Sequence, residues 1–252
     1  MRDKPSPRTT LSSLVARGAA LLAVLATFGL LSEGIARAAT TSTPFGVAYA
    51  SGTSGPASGG TPINLVGNQF LPSATVTIGG QAVGAVVNST TLIKVTSPAL
   101  GAGALYDIIV NNSGPASVLT KGWFSDFGDV PQSSAFHAPV ETIIRDGITA
   151  GCGGGNYCPN NPVTRAQMAV FLLKAQHGAG YTPPACSGVF GDVPCPSQYA
   201  DWIEQLANEG ITGGCGGGDY CPNNPNTRGQ MAVFLVKTFG LQTYGSKLPP
   251  TP

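Results

Sequence analysis

The chain has 252 residues, a formal net charge of +1 at neutral pH and only 10% charged residues. This near-neutral balance contains no cluster of Lys and Arg, which argues against nucleic acid as a partner because phosphate recognition depends on grouped cations. The length allows two small domains, and the 35 Gly and 21 Pro residues suit an extracellular surface protein.

Residues 1–38 predict a secretory signal peptide rather than part of a folded domain. A basic start is followed by the apolar run Ala19–Leu31 and by Ala36-Arg37-Ala38, which has the A-x-A pattern of a cleavage site. An uncleaved membrane anchor is the alternative, but the run is shorter than the ~20 apolar residues that a spanning helix needs. The sequence therefore predicts a secreted protein that begins near Ala39.

Residues 40–124 predict a small all-β sandwich. Short runs rich in β-branched residues recur between turn signals, and several of them alternate apolar and polar residues, as a strand with one buried face requires. Gly, Pro, Asn and Ser separate the runs. Short strands at this spacing are typical of a sandwich. The predicted strands are Pro62–Val66, Thr75–Ile78, Leu92–Thr96, Leu105–Val110 and Val118–Phe124.

The motifs of this segment, in their order, resemble an IPT/TIG domain. Ser54–Thr61, Leu65–Phe70 and Val76–Gly80 are similar to its opening, and Thr96–Ala99 and Tyr106–Asn111 to its later strands. The resemblance implies an immunoglobulin-like fold that serves as a spacer or adhesive module. Such a fold does not define a function by itself. Within it, Phe70 is expected in the core.

The C-terminal half contains an internal repeat. Phe127–Lys174 aligns without gaps on Phe190–Lys237 and matches at about 30 of 48 positions. Each copy predicts a first helix that ends at a glycine, a glycine-rich loop with two cysteines, and a second helix. The apolar face of the first helix comprises Phe136, Val140, Ile143 and Ile144 in one copy, and Tyr199, Ile203, Leu206 and Ala207 in the other.

The six cysteines all lie in this half, and an even number in an exported chain indicates disulfides. The two loop pairs are copies of each other, so each is expected to close on itself. A metal site is the alternative, but the spacing is not C-x-x-C and no histidine is near either loop. The predicted pairs are Cys152–Cys158, Cys186–Cys195 and Cys215–Cys221, with no metal or other cofactor.

The second helix of each copy has a well-specified start. Thr164 with Gln167, and Thr227 with Gln230, have the spacing of a capping box. Met, Phe and Leu follow at helical spacing and are expected in a core rather than in a ligand site. Because one short helix pair cannot bury its own apolar face, the copies are expected to pack on each other or on a third unit.

Arg165 and Arg228 occupy the first turn of these helices, where a cation opposes the helix dipole at a cost of ~0.3–1 kcal/mol. An anion offers one explanation, because exposed N–H groups and a guanidinium together can hold a carboxylate or phosphate. The alternative is an ion pair with an acid of the repeat. The acids considered are Asp129, Asp192, Glu141 and Glu204.

The repeat resembles the S-layer homology (SLH) domain. Phe127–Pro131, Gly147–Thr149 and Pro162–Ala169 carry the resemblance, and Phe190–Val193, Trp202, Gly210–Thr212 and Thr227–Gln230 repeat it in the second copy. It implies a bacterial protein anchored non-covalently to cell-wall polysaccharide, often a glycan that carries pyruvate ketals. The ligand-binding arginine of the family's T-R-A-E motif falls on Arg165 and Arg228. The ligand site that the resemblance implies also includes the motif residues beside them, Thr164, Gln167, Thr227 and Gln230.

The sequence departs from the family pattern in three ways. Gln167 and Gln230 replace the motif's Glu, two copies stand where three usually assemble, and the cysteine loop is unusual. A further SLH-bearing chain or self-association would supply a missing third unit. Trp202 is a candidate for stacking on a sugar ring, although a half-buried helix residue is the simpler interpretation.

No catalytic motif is evident, because neither histidine recurs and there is no G-x-S-x-G or H-E-x-x-H. Recurring carboxylates leave a hydrolase as a weak alternative. The prediction is a multidomain β-then-α chain: a small Ig-like sandwich (40–124), two disulfide-stapled helical SLH-type repeats (125–188 and 189–240) and a disordered tail (241–252). The expected function is non-catalytic wall attachment, and the alternative is a structural or adhesive envelope protein that contacts proteins.

Overall fold

A computed structural model describes residues 44–243. The predicted signal peptide and most of the predicted tail lie outside the described residues. Over the range 44–243, no helix is both long and apolar enough to cross a membrane.

The N-terminal part is a sandwich of two sheets. One sheet has the order β1-β3-β7-β6 and the other the order β2-β9-β8-β4-β5. All pairs are antiparallel except β2 with β9. The strands are β1 (Gly46–Ser51), β2 (Ser54–Gly55), β3 (Pro62–Asn68), β4 (Thr75–Ile78), β5 (Gln81–Val83), β6 (Ala85–Ser89), β7 (Leu92–Thr96), β8 (Ala104–Asn111) and β9 (Ala116–Ser125).

The alternation along the strands determines which side chains fill the sandwich. In β3 and β7, Ile63, Leu65, Ile93 and Val95 point inward and are buried, while their neighbours are exposed or half-buried. Phe70 is 1% exposed, which confirms its predicted place in the core. The five predicted strands are confirmed within a few residues, whereas the short strands β1, β2, β5 and β6 were not predicted.

In the described residues, four helices and three disulfides form the C-terminal part. The helices are α1 (His137–Arg145), α2 (Arg165–His177), α3 (Ala200–Asn208) and α4 (Arg228–Thr238). The predicted disulfide pairing is confirmed, because Cys152–Cys158, Cys186–Cys195 and Cys215–Cys221 are all bonded.

Helix α1 packs on the end of the sandwich. Val140 and Ile144 share a small core with Phe124 of β9 and with Phe127. Arg145 adds polar contacts, since its guanidinium donates to the carbonyl oxygens of Lys121 and Thr53 at 2.8 and 2.9 Å.

Helix α2 packs with the second copy instead. Its buried residues Ala166, Met168, Ala169, Leu172 and Leu173 share one core with α3, α4 and the second loop. The two copies therefore pack on each other, as the repeat pattern predicts, and the second copy buries its apolar face largely against a helix of the first.

Candidate functional site

The two cysteine loops have the same internal structure. Asp129 accepts hydrogen bonds from the backbone N–H groups of Tyr157 and Cys158 at 2.8 and 2.7 Å. Asp192 accepts the equivalent pair in the second loop, both at 2.7 Å. Each carboxylate is therefore committed to its own loop and holds the backbone of the tyrosine and of the cysteine that follows it.

Both predicted capping boxes are present. In α2 the Thr164 hydroxyl accepts from the Gln167 N–H at 3.2 Å, and the Gln167 side chain accepts from the Thr164 N–H at 3.0 Å. Thr227 and Gln230 make the same two bonds at the same distances in α4. These polar atoms therefore define where the helices begin.

Arg165 lies at the junction of the two copies and is 4% exposed. Its Nε donates to the Tyr220 carbonyl at 2.8 Å, and Nη2 donates to the Gly214 carbonyl at 3.3 Å. Its guanidinium carbon lies 4.7 Å from the centre of the Tyr220 ring and 5.6 Å from that of Phe234. We call this arrangement of Gly214, Tyr220 and Phe234 socket 2.

The backbone at the start of α2 is also satisfied by the second copy. The N–H of Arg165 donates to the Asn224 carbonyl at 2.9 Å, and that of Ala166 donates to the Pro222 carbonyl at 3.0 Å. These are two of the four N–H groups that a helix start leaves without intrahelical partners.

The structure corrects two expectations about Arg165. The start of α2 is not an open cradle for an anion, because carbonyl groups of the second copy occupy its N–H groups and part of its guanidinium. The ion-pair alternative is also wrong, since none of the four acids considered pairs with it. Two of those acids hold their own loops, Glu141 pairs with Arg145 at 2.8 Å, and Glu204 accepts bonds from residues 187–189.

Arg228 lies in a different environment although its sequence context is nearly the same. Its side chain is exposed. Among the residues that the structure describes, its guanidinium and its backbone N–H have no hydrogen-bond partner, and neither does the N–H of Gly229. Within the described residues, the start of α4 therefore has an exposed cation and free N–H groups, the arrangement that the anion-binding alternative requires.

A groove of about 190 Å³ runs beside Arg165, between the two copies. Arg165 and Lys237 contribute positive charge to it, and no carboxylate lines it. Nη1 of Arg165 has no partner within the described residues, so it is the part of the guanidinium left to meet a ligand. The residues that line it include Arg165, Thr212, Gly213, Gly214, Gln230 and Lys237.

Trp202 does not join either arginine. It is half-buried on α3, where the Tyr181 ring meets it edge-on with 6.1 Å between ring centres, and Lys174 Nζ lies 5.9 Å from the centre of its ring. This position agrees with the simpler interpretation of a helix residue that packs within the fold.

Sequence reasoning missed the residues that receive Arg165. Tyr220 is fully buried, and burial raises the pKa of its hydroxyl to about 12 even though nearby Arg165 acts to lower it. Its hydroxyl donates to the Arg165 carbonyl at 2.9 Å. Lys237 was also missed. Tyr220 and Lys237 recur in the first copy as Tyr157 and Lys174. This recurrence did not indicate which of the two copies would contact Arg165.

Comparison with known proteins assigns two domains. Residues 50–126 match the IPT/TIG domain, and residues 126–169 match the S-layer homology domain. The chain thus carries both domains that its motifs resemble.

Related proteins include cell-surface proteins of several bacteria. A surface-layer 125 kDa protein of Lysinibacillus sphaericus is 26% identical over 51% of this chain and 10% of its own length. A cell surface protein of Thermoanaerobacter kivui is 27% identical over 46% of this chain and 16% of its own. The exoglucanase XynX of Acetivibrio thermocellus is 29% identical over 51% of this chain and 11% of its own length.

The chain spans only about a tenth to a sixth of the length of these relatives. The shared domains, together with the surface-layer and cell-surface relatives, identify an extracellular cell-surface protein. Both domain types are typical of non-catalytic surface proteins.

Proposed function

We propose that this protein attaches non-covalently to anionic cell-wall polysaccharide through its helical part and that it has no catalytic role. The observation that carries the proposal is the SLH match at residues 126–169. The second copy, residues 189–240, repeats the fold of the first and is proposed as a second SLH repeat. The sandwich, whose strands span residues 46–125, is proposed as the spacer that presents other surfaces away from the wall.

The groove between the copies is the proposed glycan site. An anionic sugar substituent, such as a ketal carboxylate, would meet the free Nη1 of Arg165 and the ammonium of Lys237 in a groove without carboxylates. Arg228 offers a second, open contact through its guanidinium and the free N–H groups of its helix start. The remaining polar groups predicted for the site, on Thr164, Thr227, Gln167 and Gln230, act mainly as caps that hold these arginines in place.

Binding of the purified protein to purified wall polysaccharide tests the proposal. We expect Lys237→Glu to weaken binding about ten- to hundredfold, because it replaces a charge-assisted contact by repulsion. The matched control is Lys94→Glu on the sandwich, which changes the net charge equally and lies far from the groove in sequence. Removal of the acidic substituents from the polysaccharide should weaken the wild type in the same way. Unchanged binding of Lys237→Glu would exclude the groove.

A structural or adhesive envelope protein that contacts proteins is the second candidate. Exposed apolar side chains on and after α4 favour it, namely Val233, Leu235, Phe239 and Leu241. Polysaccharide binding that survives loss of the acidic substituents and of Lys237, or no binding at all, would favour this candidate.

A further inference from the structure

The two copies have nearly the same sequence but differ in burial in a systematic way. In α2, Arg165 is 4% exposed, Ala169 0% and Leu172 3%. Their counterparts in α4, Arg228, Ala232 and Leu235, are all exposed, and Leu235 is 39% exposed. The face that α2 buries against the second copy is therefore also present on α4, where no element within residues 44–243 covers it.

The first loop shows the complementary difference. Gly151, Tyr157 and Phe171 correspond to Gly214, Tyr220 and Phe234, and we call this arrangement socket 1. Tyr220 and Phe234 are 0% and 4% exposed, while Tyr157 and Phe171 are only half-buried. Socket 1 opens as a cavity of about 260 Å³ whose lining includes all three residues.

The backbone acceptors of socket 1 are also free. In socket 2 the carbonyl groups of Gly214, Tyr220, Pro222 and Asn224 accept from Arg165 and Ala166. The corresponding carbonyls of socket 1 accept no hydrogen bond from any described residue. They belong to Gly151, Tyr157, Pro159 and Asn161. The start of α4 has the matching free donors on Arg228 and Gly229.

The loop that carries socket 1 has the same construction as the loop that carries socket 2. Asp129 holds the Tyr157 and Cys158 amides as Asp192 holds those of Tyr220 and Cys221, and a disulfide closes each loop. The tilted ring contact of Phe127 with Tyr157, at 5.6 Å between centres, repeats that of Phe190 with Tyr220, at 5.3 Å. Socket 1 is thus shaped to receive an arginine without rearrangement of its loop.

We propose that the start of α4 in one copy of this chain docks into socket 1 of a second copy, so that Arg228 takes the position there that Arg165 takes in socket 2. The interface between the two repeats within one chain is the template for the interface between chains. We call the start of α4, with Arg228 and Gly229, the tip. Because the tip and socket 1 lie on different repeats, the contact is head-to-tail, and further copies can add at each end unless a ring closes.

The apolar surfaces around the tip and the socket support this pairing. Beside socket 1, Phe136 is 53% exposed and Ile143 half-buried, whereas Leu206, the counterpart of Ile143 on α3, is fully buried. Since α2 covers α3 within the chain, α4 of a second copy would cover this face of α1. One contact is weaker than in the template. Within the chain, the Asn226 side chain donates to the carbonyl groups of Val163 and Thr164. In the interface between chains Val163 takes the place of Asn226, and its side chain has no hydrogen-bond donor.

Docking would also complete a second groove of the kind proposed for the glycan. Arg228 would lie beside Thr149 and Gln167, the counterparts of Thr212 and Gln230. Self-association does not depend on polysaccharide, however, and it is measured without it. Failure of the association would therefore leave the proposed wall attachment standing.

Sedimentation equilibrium of the purified protein over a range of concentrations tests the proposal. We expect reversible association of the wild type, with Arg228→Ala raising the dissociation constant about ten- to hundredfold through lost hydrogen bonds to a charged group. Lys94→Ala, which removes an exposed cation elsewhere, is the matched control and should associate as the wild type does. Circular dichroism verifies that each variant is folded.

A complementation experiment distinguishes head-to-tail docking from any other contact. Asn161→Trp blocks the rim of socket 1 and leaves the tip intact, and Asn160→Trp, at the neighbouring exposed position, is its control. We expect Arg228→Ala and Asn161→Trp to be monomeric alone and to form a dimer, but nothing larger, when mixed. A monomeric wild type, an Arg228→Ala variant that associates with the dissociation constant of the wild type, or no dimer on mixing would overturn the proposal.

Discussion

The guanidinium of Arg165 lies 4.7 Å from the centre of the Tyr220 ring, and the Tyr220 hydroxyl donates to the Arg165 carbonyl at 2.9 Å. Each residue thus contacts both the side chain and the backbone of the other, across the junction of the two repeats. A cation in the first turn of a helix is unfavourable by itself. Here contacts of the guanidinium with two carbonyl groups and two aromatic rings offset that cost, and the arginine connects one repeat to the next.

Arg165→Ala and Arg228→Ala should differ sharply in their effect on stability. The first leaves the buried Tyr220 carbonyl and the half-buried Gly214 carbonyl without these partners and removes the ring contacts, so we expect a loss of about 2–4 kcal/mol in the free energy of unfolding. The second removes an exposed side chain and should change stability by less than about 0.5 kcal/mol at concentrations where the protein is monomeric. Urea denaturation followed by circular dichroism at the helical band measures both. Equal losses would contradict the asymmetric role of the two arginines.

Tyr220 should be the last tyrosine to ionise. Burial raises its pKa to about 12, against an ordinary value of 10.0, although nearby Arg165 acts in the opposite direction. Because the pKa is higher in the folded state than in the unfolded state, the neutral Tyr220 hydroxyl contributes to the free energy of unfolding. This contribution is complete below pH 10 and is lost as the pH rises toward 12. Alkaline titration followed by tyrosinate absorbance should show one late group that Tyr220→Phe removes and Tyr157→Phe does not. A late group that persists in Tyr220→Phe would contradict the assignment.

The sequence predicted the local structure of the repeat well, because that structure depends on nearby residues. The capping boxes of Thr164 and Thr227 and the three disulfides follow from short spacings, and both are confirmed. The burial of Arg165 was not predicted, because it depends on where the second copy lies. Arg165 and Arg228 have nearly identical neighbours in sequence, so no local pattern separates the buried one from the exposed one. Edge strands such as β5 were missed because three residues carry too little alternation.

Glu204 should make the helical part sensitive to acid. The carboxylate is 4% exposed and accepts from the backbone N–H groups of Ser187, Gly188 and Val189 at 2.6, 2.6 and 2.9 Å. Burial acts to raise its pKa, but these bonds outweigh burial and the pKa is lowered from 4.5. The ionised Glu204 carboxylate therefore contributes to the free energy of unfolding above pH 4.5. This contribution is lost as the pH falls through the lowered pKa of the folded state.

Glu204→Gln tests this account. The amide N–H₂ group of Gln cannot accept the hydrogen bonds that the loop N–H groups donate to the carboxylate. We therefore expect the free energy of unfolding to fall by about 1–3 kcal/mol at neutral pH and to depend less on pH below 5. Asp219→Asn is the matched control, because Asn156 already occupies the corresponding position of the first repeat. Thermal unfolding at several pH values provides the comparison. A pH dependence that survives in Glu204→Gln would assign the acid sensitivity to another group.

Arg145 should couple the unfolding of the helices to that of the sandwich. Its guanidinium donates to the Lys121 and Thr53 carbonyls of the sandwich at 2.8 and 2.9 Å, while Glu141 holds it on α1 at 2.8 Å. Arg145→Ala removes these bonds but leaves the small apolar core around Phe124 in place. We expect calorimetry to resolve two transitions in this variant where the wild type shows closer or merged ones. Lys121→Ala is the control, since it retains the backbone carbonyl that Arg145 contacts. Two separate transitions already present in the wild type would show that Arg145 does not couple the unfolding of the helices to that of the sandwich.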